Sequence, residues 1–169
     1  VGHVTIHSGG TWNNTANEPV TMRASLTNNG TFNSGTGQYT FTTDVNAVWA
    51  GTSGLTFGRN VAVQASRTTN TPTSVAGTLI LSAGVTVTNN ATATVTGSIT
   101  GANNTTSIWT NAANSTLNAG NALLATGTLN ASAAGNTVHY TGAGQTVKTP
   151  ARPVEGDGFA PQALRSVRQ

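Results

Sequence analysis

Short alternations of apolar and polar residues, separated by small or Asn-containing corners, run through most of this chain. The clearest stretch is residues 77–101, with Leu79-Ile80-Leu81 and Val85-Thr86-Val87 among its alternations. Each alternation covers about three to five residues, and a corner follows about every six to eight residues. Since a period of two is typical of strands with one buried face, the pattern predicts a long series of very short β-strands.

Two segments of the chain repeat each other position by position. Leu26–Phe32 and Val87–Ala93 both read apolar, Thr, Asn, Asn, small, Thr and then apolar or small, at an offset of 61 residues. That offset equals about three turns of a coil with roughly 20 residues and three strands per turn. We therefore predict an all-β fold, a single-stranded parallel β-helix (β-solenoid) over residues 1–147. About seven turns stacked ~4.8 Å apart would be near ~35 Å long.

The predicted coil places apolar side chains in inward columns and Thr in outward ladders, with Asn amides stacked at corners. No sustained helical stripe occurs, so we expect almost no helix before Pro150. An antiparallel sandwich also shows regularly spaced strands, but strands this short favour the solenoid. Residues 67–74 (RTTNTPTS) lack an apolar residue and include Pro72. This composition predicts a loop that bulges from the coil.

Residues 148–169 differ from the rest of the chain and form a predicted C-terminal tail. They contain one Thr and no Asn. Pro150, Pro153 and Pro161 predict an extended course at its start, because proline fixes φ and lacks an N–H. We expect the tail to dock on the coil or on a neighbouring subunit.

The amino-acid composition limits the kinds of partner that this protein is expected to bind. Charged residues are 7% of the chain, against about 25% in a typical domain, while 33 Thr residues favour pleated strands over disorder. The net charge of +3 arises from few acids and not from clustered Lys and Arg, so nucleic acid is not an expected partner. No apolar run reaches the roughly 20 residues of a membrane-spanning segment. The chain opens at Val1 without a signal peptide, which indicates a removed leader or a fragment.

The repeating segments carry a resemblance to a known group of proteins. Leu26–Phe32, residues 77–101 and Asn136–Gly142 resemble the repetitive β-solenoid surface proteins that bacteria secrete, such as adhesins and autotransporter passenger regions. The likeness covers about residues 4–147 and excludes the tail. It implies a right-handed β-helix at an extracellular or cell-surface location, and it brings no catalytic motif.

Few residues of this chain are candidates for catalysis or metal binding. The acids are Glu18, Asp44, Glu155 and Asp157, too few and too scattered for a convincing acid–base pair. His3 and His7 share one strand face, but four residues of strand separate them by roughly 13 Å. There is no Cys, no nucleophile elbow and no phosphate-binding loop. We predict a protein that is not an enzyme and that uses no metal or cofactor.

The leading functional hypothesis is self-association into a homo-oligomer or polymer. A β-helix exposes a strand edge at each end unless something caps it, and a proline-containing tail can pair with the edge of the next copy. Deletion of residues 150–169 is then expected to abolish polymers. The candidate self-association residues are Val4, Ile6, Pro150, Pro153, Phe159, Pro161, Leu164 and Val167.

Two alternatives stay open. An adhesin or carbohydrate-binding module would use aromatic rings that stack on sugars, and the candidates are Trp12, Trp49 and Trp109, although core packing is the more common role of such residues. Ice binding is suggested by Thr-x-Thr pairs, but it requires those pairs to align on one face, and their spacing is irregular. The Thr-x-Thr pairs are Thr40/Thr42, Thr86/Thr88 and Thr92/Thr94/Thr96.

Overall fold

The computed structural model describes residues 1–44 and 46–151. This part of the chain forms nineteen β-strands and no helix, wound into a β-solenoid of about seven turns. Sheet A contains β1 (Val4–Ile6), β4 (Leu26–Asn28), β7 (Ala47–Ala50), β10 (Arg67–Thr69), β13 (Thr86–Asn89), β16 (Ile108–Asn111) and β18 (Thr128–Asn130).

The other strands form three further sheets. Sheet B contains β2 (Thr11–Asn13) and β5 (Thr31–Asn33). Sheet C contains β3 (Val20–Met22), β6 (Tyr39–Phe41), β9 (Val61–Val63), β12 (Leu79–Leu81) and β15 (Ile99–Gly101). Sheet D contains β8 (Leu55–Phe57), β11 (Thr73–Val75), β14 (Thr92–Val95), β17 (Thr116–Ala119) and β19 (Thr137–Tyr140). Each turn passes through sheet A, then B or D; the first five turns go on through a strand of sheet C.

Every strand pair in the described residues is parallel and joins one turn to the next. Thr68 of β10, for example, lies opposite Thr88 of β13. This pairing confirms the predicted single-stranded parallel β-helix and rules out the antiparallel sandwich. Tyr39, Val61, Leu79 and Ile99 form one inward column of sheet C, and all four are buried. Burial of each such side chain contributes about 1.5–3 kcal/mol.

The spatial register differs from the register that the sequence repeat suggests. Leu26 lies opposite Trp49, Trp49 opposite Thr69, and Thr69 opposite Asn89. Three turns above Leu26, the coil therefore places Asn89 and not Val87. The difference arises because turns vary in length: the turn from Leu26 to Trp49 takes 23 residues, whereas the next two take 20 each.

The repeated Asn residue, Asn28 in one segment and Asn89 in the other, nevertheless makes equivalent hydrogen bonds in both. The side-chain oxygens of Asn28 and Asn89 each accept a hydrogen bond from the backbone N–H two residues on, at 3.1 and 3.2 Å. Their amide nitrogens donate to a carbonyl oxygen on the following turn, at 2.8 and 2.9 Å. Asn89 also donates to Asn111 at 3.0 Å, which confirms the predicted stacking of corner amides.

The predicted loop at residues 67–74 is wrong. Arg67–Thr69 and Thr73–Val75 are strands β10 and β11, and the inward Thr side chains are buried. Thr69 and Thr73 can face the interior because their hydroxyl groups hydrogen-bond each other at 2.9 Å. Thr71 is buried too, and its hydroxyl donates to a carbonyl of the preceding turn at 3.2 Å. Paired hydroxyls lose little on burial, so polar residues continue the strands.

Arg67 is the unusual member of this segment. Its side chain points into the coil and is 2% exposed, with its guanidinium carbon 4.6 Å from the ring centroid of Phe41 and 5.5 Å from that of Trp49. None of its three guanidinium nitrogens has a hydrogen-bond partner among the described residues. Desolvation lowers the pKa of Arg67 to about 10, against an opposing effect of Asp44. Among the described residues, two aromatic rings and the charge of Asp44 stabilise this cation, and no hydrogen bond does.

Candidate functional site

Parallel pairing gives the two ends of this coil different unpaired backbone groups. Inward-facing residues bond to the following turn: Tyr39 donates its N–H to the carbonyl of Asn60 at 3.2 Å, and the carbonyl of Phe41 accepts from Gln64 at 2.8 Å. Outward-facing residues bond to the preceding turn. It follows that outward residues carry the unpaired groups at the first turn, and inward residues carry them at the last.

The N-terminal end is open along two strands. Among the described strands, β1 pairs only with β4 and β2 pairs only with β5. The N–H and C=O groups of Thr5, Thr11 and Asn13 therefore face away from the coil. Beside them the half-buried Val4 and Trp12 line an open concavity of ≈ 280 Å³. This end combines unpaired donors and acceptors with partly exposed apolar side chains.

The third strand at this end is already covered. The carbonyl oxygen of Val1 accepts a hydrogen bond from the N–H of Arg23 at 2.7 Å, and the amino group of Val1 donates to the carbonyl of Thr21 at 2.8 Å. Val1 thus occupies the place of a preceding turn over β3. The open N-terminal edge is formed by sheets A and B.

The C-terminal end is open along β19 and covered along β18. Strand β19 pairs with β17 alone among the described strands, so its inward residues Val138 and Tyr140 direct their backbone groups out of the coil. Over β18, the N–H of Ala151 donates to the carbonyl oxygen of Leu129 at 2.7 Å. The Tyr140 hydroxyl accepts from the N–H of Lys148 at 2.8 Å and donates to the carbonyl of Lys148 at 3.4 Å.

The residues predicted for self-association fall into three groups. Val4 and Ile6 lie in β1 at the open N-terminal end, where Val4 is half-buried and Ile6 is 6% exposed. The bond from Ala151 to Leu129 places Pro150 opposite Leu129, on the subunit's own coil. The other predicted residues lie outside the described part of the chain: Pro153, Phe159, Pro161, Leu164 and Val167.

The three tryptophans differ in their access to a ligand. Trp49 and Trp109 are each 1% exposed and belong to the core, so neither ring offers a face to a sugar. Trp12 is half-buried at the N-terminal end, where its indole N–H donates to the hydroxyl of Tyr39 at 2.9 Å. Of the predicted glycan contacts, the structure leaves only Trp12 at the surface.

Among the residues that the structure describes, those suited to reaction chemistry are not brought together. Glu18 lies between β2 and β3, whereas Asp44 lies between β6 and β7, at a different corner of the coil. Within residues 1–44 and 46–151, no group of three or more His, Asp or Glu side chains is placed to hold a metal ion. His139 faces outward in β19 opposite Asn118.

Sheet A carries a regular array of hydroxyl groups on its outer face. Thr68, Thr88 and Thr110 lie opposite one another on three successive turns, and Asn130 continues the column. This confirms the predicted outward Thr ladder. The Thr-x-Thr pairs themselves are divided among sheets, since Thr40 lies in sheet C, Thr86/Thr88 in sheet A and Thr92/Thr94 in sheet D.

Comparisons with protein-family models, curated proteins and solved structures find no match for this chain. The parallel β-solenoid is therefore established by strand pairing alone. Nothing beyond that shared architecture links the chain to adhesins or autotransporter passengers. The described part of the chain has no helix whose length and apolarity would let it cross a bilayer.

Proposed function

We propose that this protein is a non-enzymatic structural protein of the cell exterior. Its copies associate by stacking their solenoid ends into a fibre, with the C-terminal tail docking at the joint. The observation that carries the proposal is the pair of unpaired edges. Strands β1 and β2 at one end and β19 at the other each have a partner on one side only among the described strands.

The unpaired groups at the two ends are complementary. The last turn offers N–H and C=O groups of inward residues, and the first turn offers those of outward residues, which is the combination that joins neighbouring turns within the coil. Unpaired strand edges favour pairing with another chain. A head-to-tail contact of this kind repeats without closing, so it generates a filament.

The rest of the surface favours a structural role over a catalytic one. The chain has 7 Lys and Arg and 4 Asp and Glu among 169 residues, so acid–base groups are scarce. Outward positions are mostly Thr and Asn, which are neutral and hydrogen-bond well to water. The extracellular location rests on the resemblance of the repeats to secreted β-solenoid proteins.

The test removes one backbone donor from the open edge. In Asn13→Pro the chain loses an N–H that faces away from the coil, so its internal hydrogen bonds are kept, and proline is tolerated on edge strands. Asn13→Ser keeps the N–H and serves as the matched control. We expect the wild type and Asn13→Ser to form filaments at high concentration by negative-stain microscopy, and Asn13→Pro to form few or none. A wild type that remains monomeric at every concentration, or an Asn13→Pro chain that polymerises normally, would contradict the proposal.

An adhesin that binds carbohydrate is the second candidate. The column of Thr68, Thr88 and Thr110 supports it, because a flat, uncharged hydroxyl array can hydrogen-bond to a neutral polysaccharide. A glycan array tests this function, and binding should weaken in Thr88→Val if the column is the site. Ice binding is a lesser alternative, since only one Thr-x-Thr pair lies on sheet A; a thermal-hysteresis measurement tests it.

A further inference from the structure

The start of the C-terminal tail occupies a position that a second copy needs. Within the coil, each strand of sheet A lies one turn above the previous one, and β18 is the last of the seven. The next place in the sheet is taken by residues 149–151, because the N–H of Ala151 bonds to the carbonyl oxygen of Leu129. A second copy that continued the coil directly would place its β1 at this same site.

On the same turn, the position beyond the neighbouring strand β19 is unoccupied among the described residues. Strand β19 has no partner beyond it among the described strands, and it is the edge on which β2 of a second copy would pair. Strands β1 and β2 follow each other in one turn, so they must dock together. Residues 149–151 therefore exclude β1 of a second copy while β19 is still open to β2.

Proline strengthens the block. Pro150 lies opposite Leu129 and so takes an inward position. A residue with a backbone N–H at this position would donate it to a further turn. Proline has no N–H to donate, so the segment cannot itself present a complete edge for another strand. Proline on an exposed edge is one of the devices that prevent strand addition.

Among the described residues, three hydrogen bonds hold this segment. Besides the bond from Ala151, the described contacts of this segment include the two hydrogen bonds between Lys148 and the hydroxyl of Tyr140. The net free energy of each such hydrogen bond is small, because its groups bond to water when the segment leaves. A segment held this weakly can leave the edge when the concentration of a second copy is high.

We propose that residues 148–151 are an autoinhibitory cap that a second copy of this chain must displace before the solenoid ends stack. This inference rests on the proposed end-to-end association and adds how it is regulated. In the joined state, β19 of one copy pairs with β2 of the next, with Val138 opposite Trp12 and His139 opposite Asn13. This register continues the inward columns that contain Leu117–Val138 and Trp12–Phe32.

The test compares two substitutions at one position in the full chain. Ala151→Pro removes the N–H that holds the cap on Leu129, whereas Ala151→Ser keeps it. We expect Ala151→Pro to lower the concentration at which filaments form by about tenfold, the effect of one lost hydrogen bond of about 1.4 kcal/mol, and Ala151→Ser to match the wild type. An unchanged far-UV circular dichroism spectrum in Ala151→Pro is the folding control.

Disulfide trapping tests the register, since the wild type has no Cys. Facing residues of adjacent strands are ~4.8 Å apart, within the Cα range of about 4.4–6.8 Å for a disulfide. We expect the double variant Asn13→Cys/His139→Cys in the Ala151→Pro chain to give a ladder of oligomers on non-reducing gels. Within one chain these residues lie at opposite ends of the coil, so the link must join two copies. Each single variant should stop at dimers.

The outcomes separate this proposal from the proposed function. If filaments form but Ala151→Pro leaves the critical concentration unchanged or raises it, the cap is overturned and end stacking stands. Filaments without a disulfide ladder overturn the register. If none of the variants associates at any concentration, both the cap and the proposed function are overturned.

Discussion

The guanidinium carbon of Arg67 lies 4.6 Å from the ring centroid of Phe41, inside the coil. A cation at this distance from an aromatic face gains about 2 kcal/mol when desolvated. Burial of an unpaired charge costs several kcal/mol, and no hydrogen bond offsets that cost among the described residues. The third and fourth turns are therefore less stable than apolar packing would make them.

Replacement of Arg67 by Met should stabilise the fold. Met fills a similar volume without a charge, so we expect the free energy of unfolding to rise by about 1–4 kcal/mol, the range found when buried ionic groups become apolar. Denaturant unfolding followed by circular dichroism measures the change. Arg59→Met, at an exposed arginine, is the matched control and should stay within about 0.5 kcal/mol of the wild type. A clear loss of stability in Arg67→Met would show that the guanidinium has partners that outweigh its desolvation.

Ionisation of Tyr39 should lower the free energy of unfolding at alkaline pH. Burial raises the pKa of Tyr39 above its ordinary value of 10.0, so above that pH the unfolded chain loses its phenolic proton before the folded chain does. The folded state then binds more protons, and its stability decreases as pH rises. Arg67 acts in the opposite direction, because its lowered pKa of about 10 lets the folded state lose a proton first.

The measurement is therefore made in the Arg67→Met chain. Unfolding free energies at pH 9 and pH 11 should differ by less after Tyr39→Phe is added, whereas the background chain should lose stability between these two pH values. Tyr140, whose pKa burial also raises, is present in both chains and does not affect the comparison. An equal pH dependence in the two chains would mean that the Tyr39 hydroxyl ionises as readily in the fold as outside it.

Asn89 should contribute more to the stability of the fold than its neighbour Asn90 does. Its buried amide joins Asn111, the carbonyl of Thr116 and the N–H of Ala91. Loss of these bonds leaves buried backbone groups unsatisfied at about 1–3 kcal/mol each. We expect Asn89→Ala to lower the unfolding free energy by about 2–4 kcal/mol, measured by denaturant titration.

The neighbouring residue supplies the control. Asn90 is exposed, and its amide donates to Asn70 at the surface. Asn90→Ala should therefore cost less than about 0.5 kcal/mol. Similar losses in both variants would indicate that Asn contributes here through backbone conformation and not through its buried hydrogen bonds.

The strands could be predicted from alternation, whereas the register could not. Within residues 77–101, the strands β12 to β15 lie within about one or two residues of the alternations that predicted them. Alternation does not report how long each corner is, so the repeat of Leu26 in Val87 suggested a stacking that is two residues away from the true one. Only the paired backbones fix the length of each turn.

The polar inward positions of β10 and β11 were missed for a related reason. The prediction counted apolar residues, and Arg67, Thr69 and Thr73 are inward without being apolar. A signal was available in the alternation of β-branched residues, since Thr fits a pleated strand as well as Val does. The candidate site at the ends was predicted from the lack of a capping helix at Val1, where the alternation starts at once. The position of Pro150 opposite Leu129 could not be predicted, because it depends on the turn length between Leu129 and Ala151.

Gly51 should tolerate no side chain. It occupies the Asn28 position on the next turn of sheet A, with φ at 124°, and an added Cβ would collide with the carbonyl oxygen of Asn28. Left-handed strain and the collision with fixed backbone act together, so Gly51→Ala should lower the unfolding free energy by about 3 kcal/mol. Gly2 has open space where its Cβ would lie, and Gly2→Ala should change stability by less than about 0.5 kcal/mol. Thermal unfolding of both variants makes the comparison, and a Gly51→Ala chain as stable as Gly2→Ala would mean that the third turn can shift away from the second without loss.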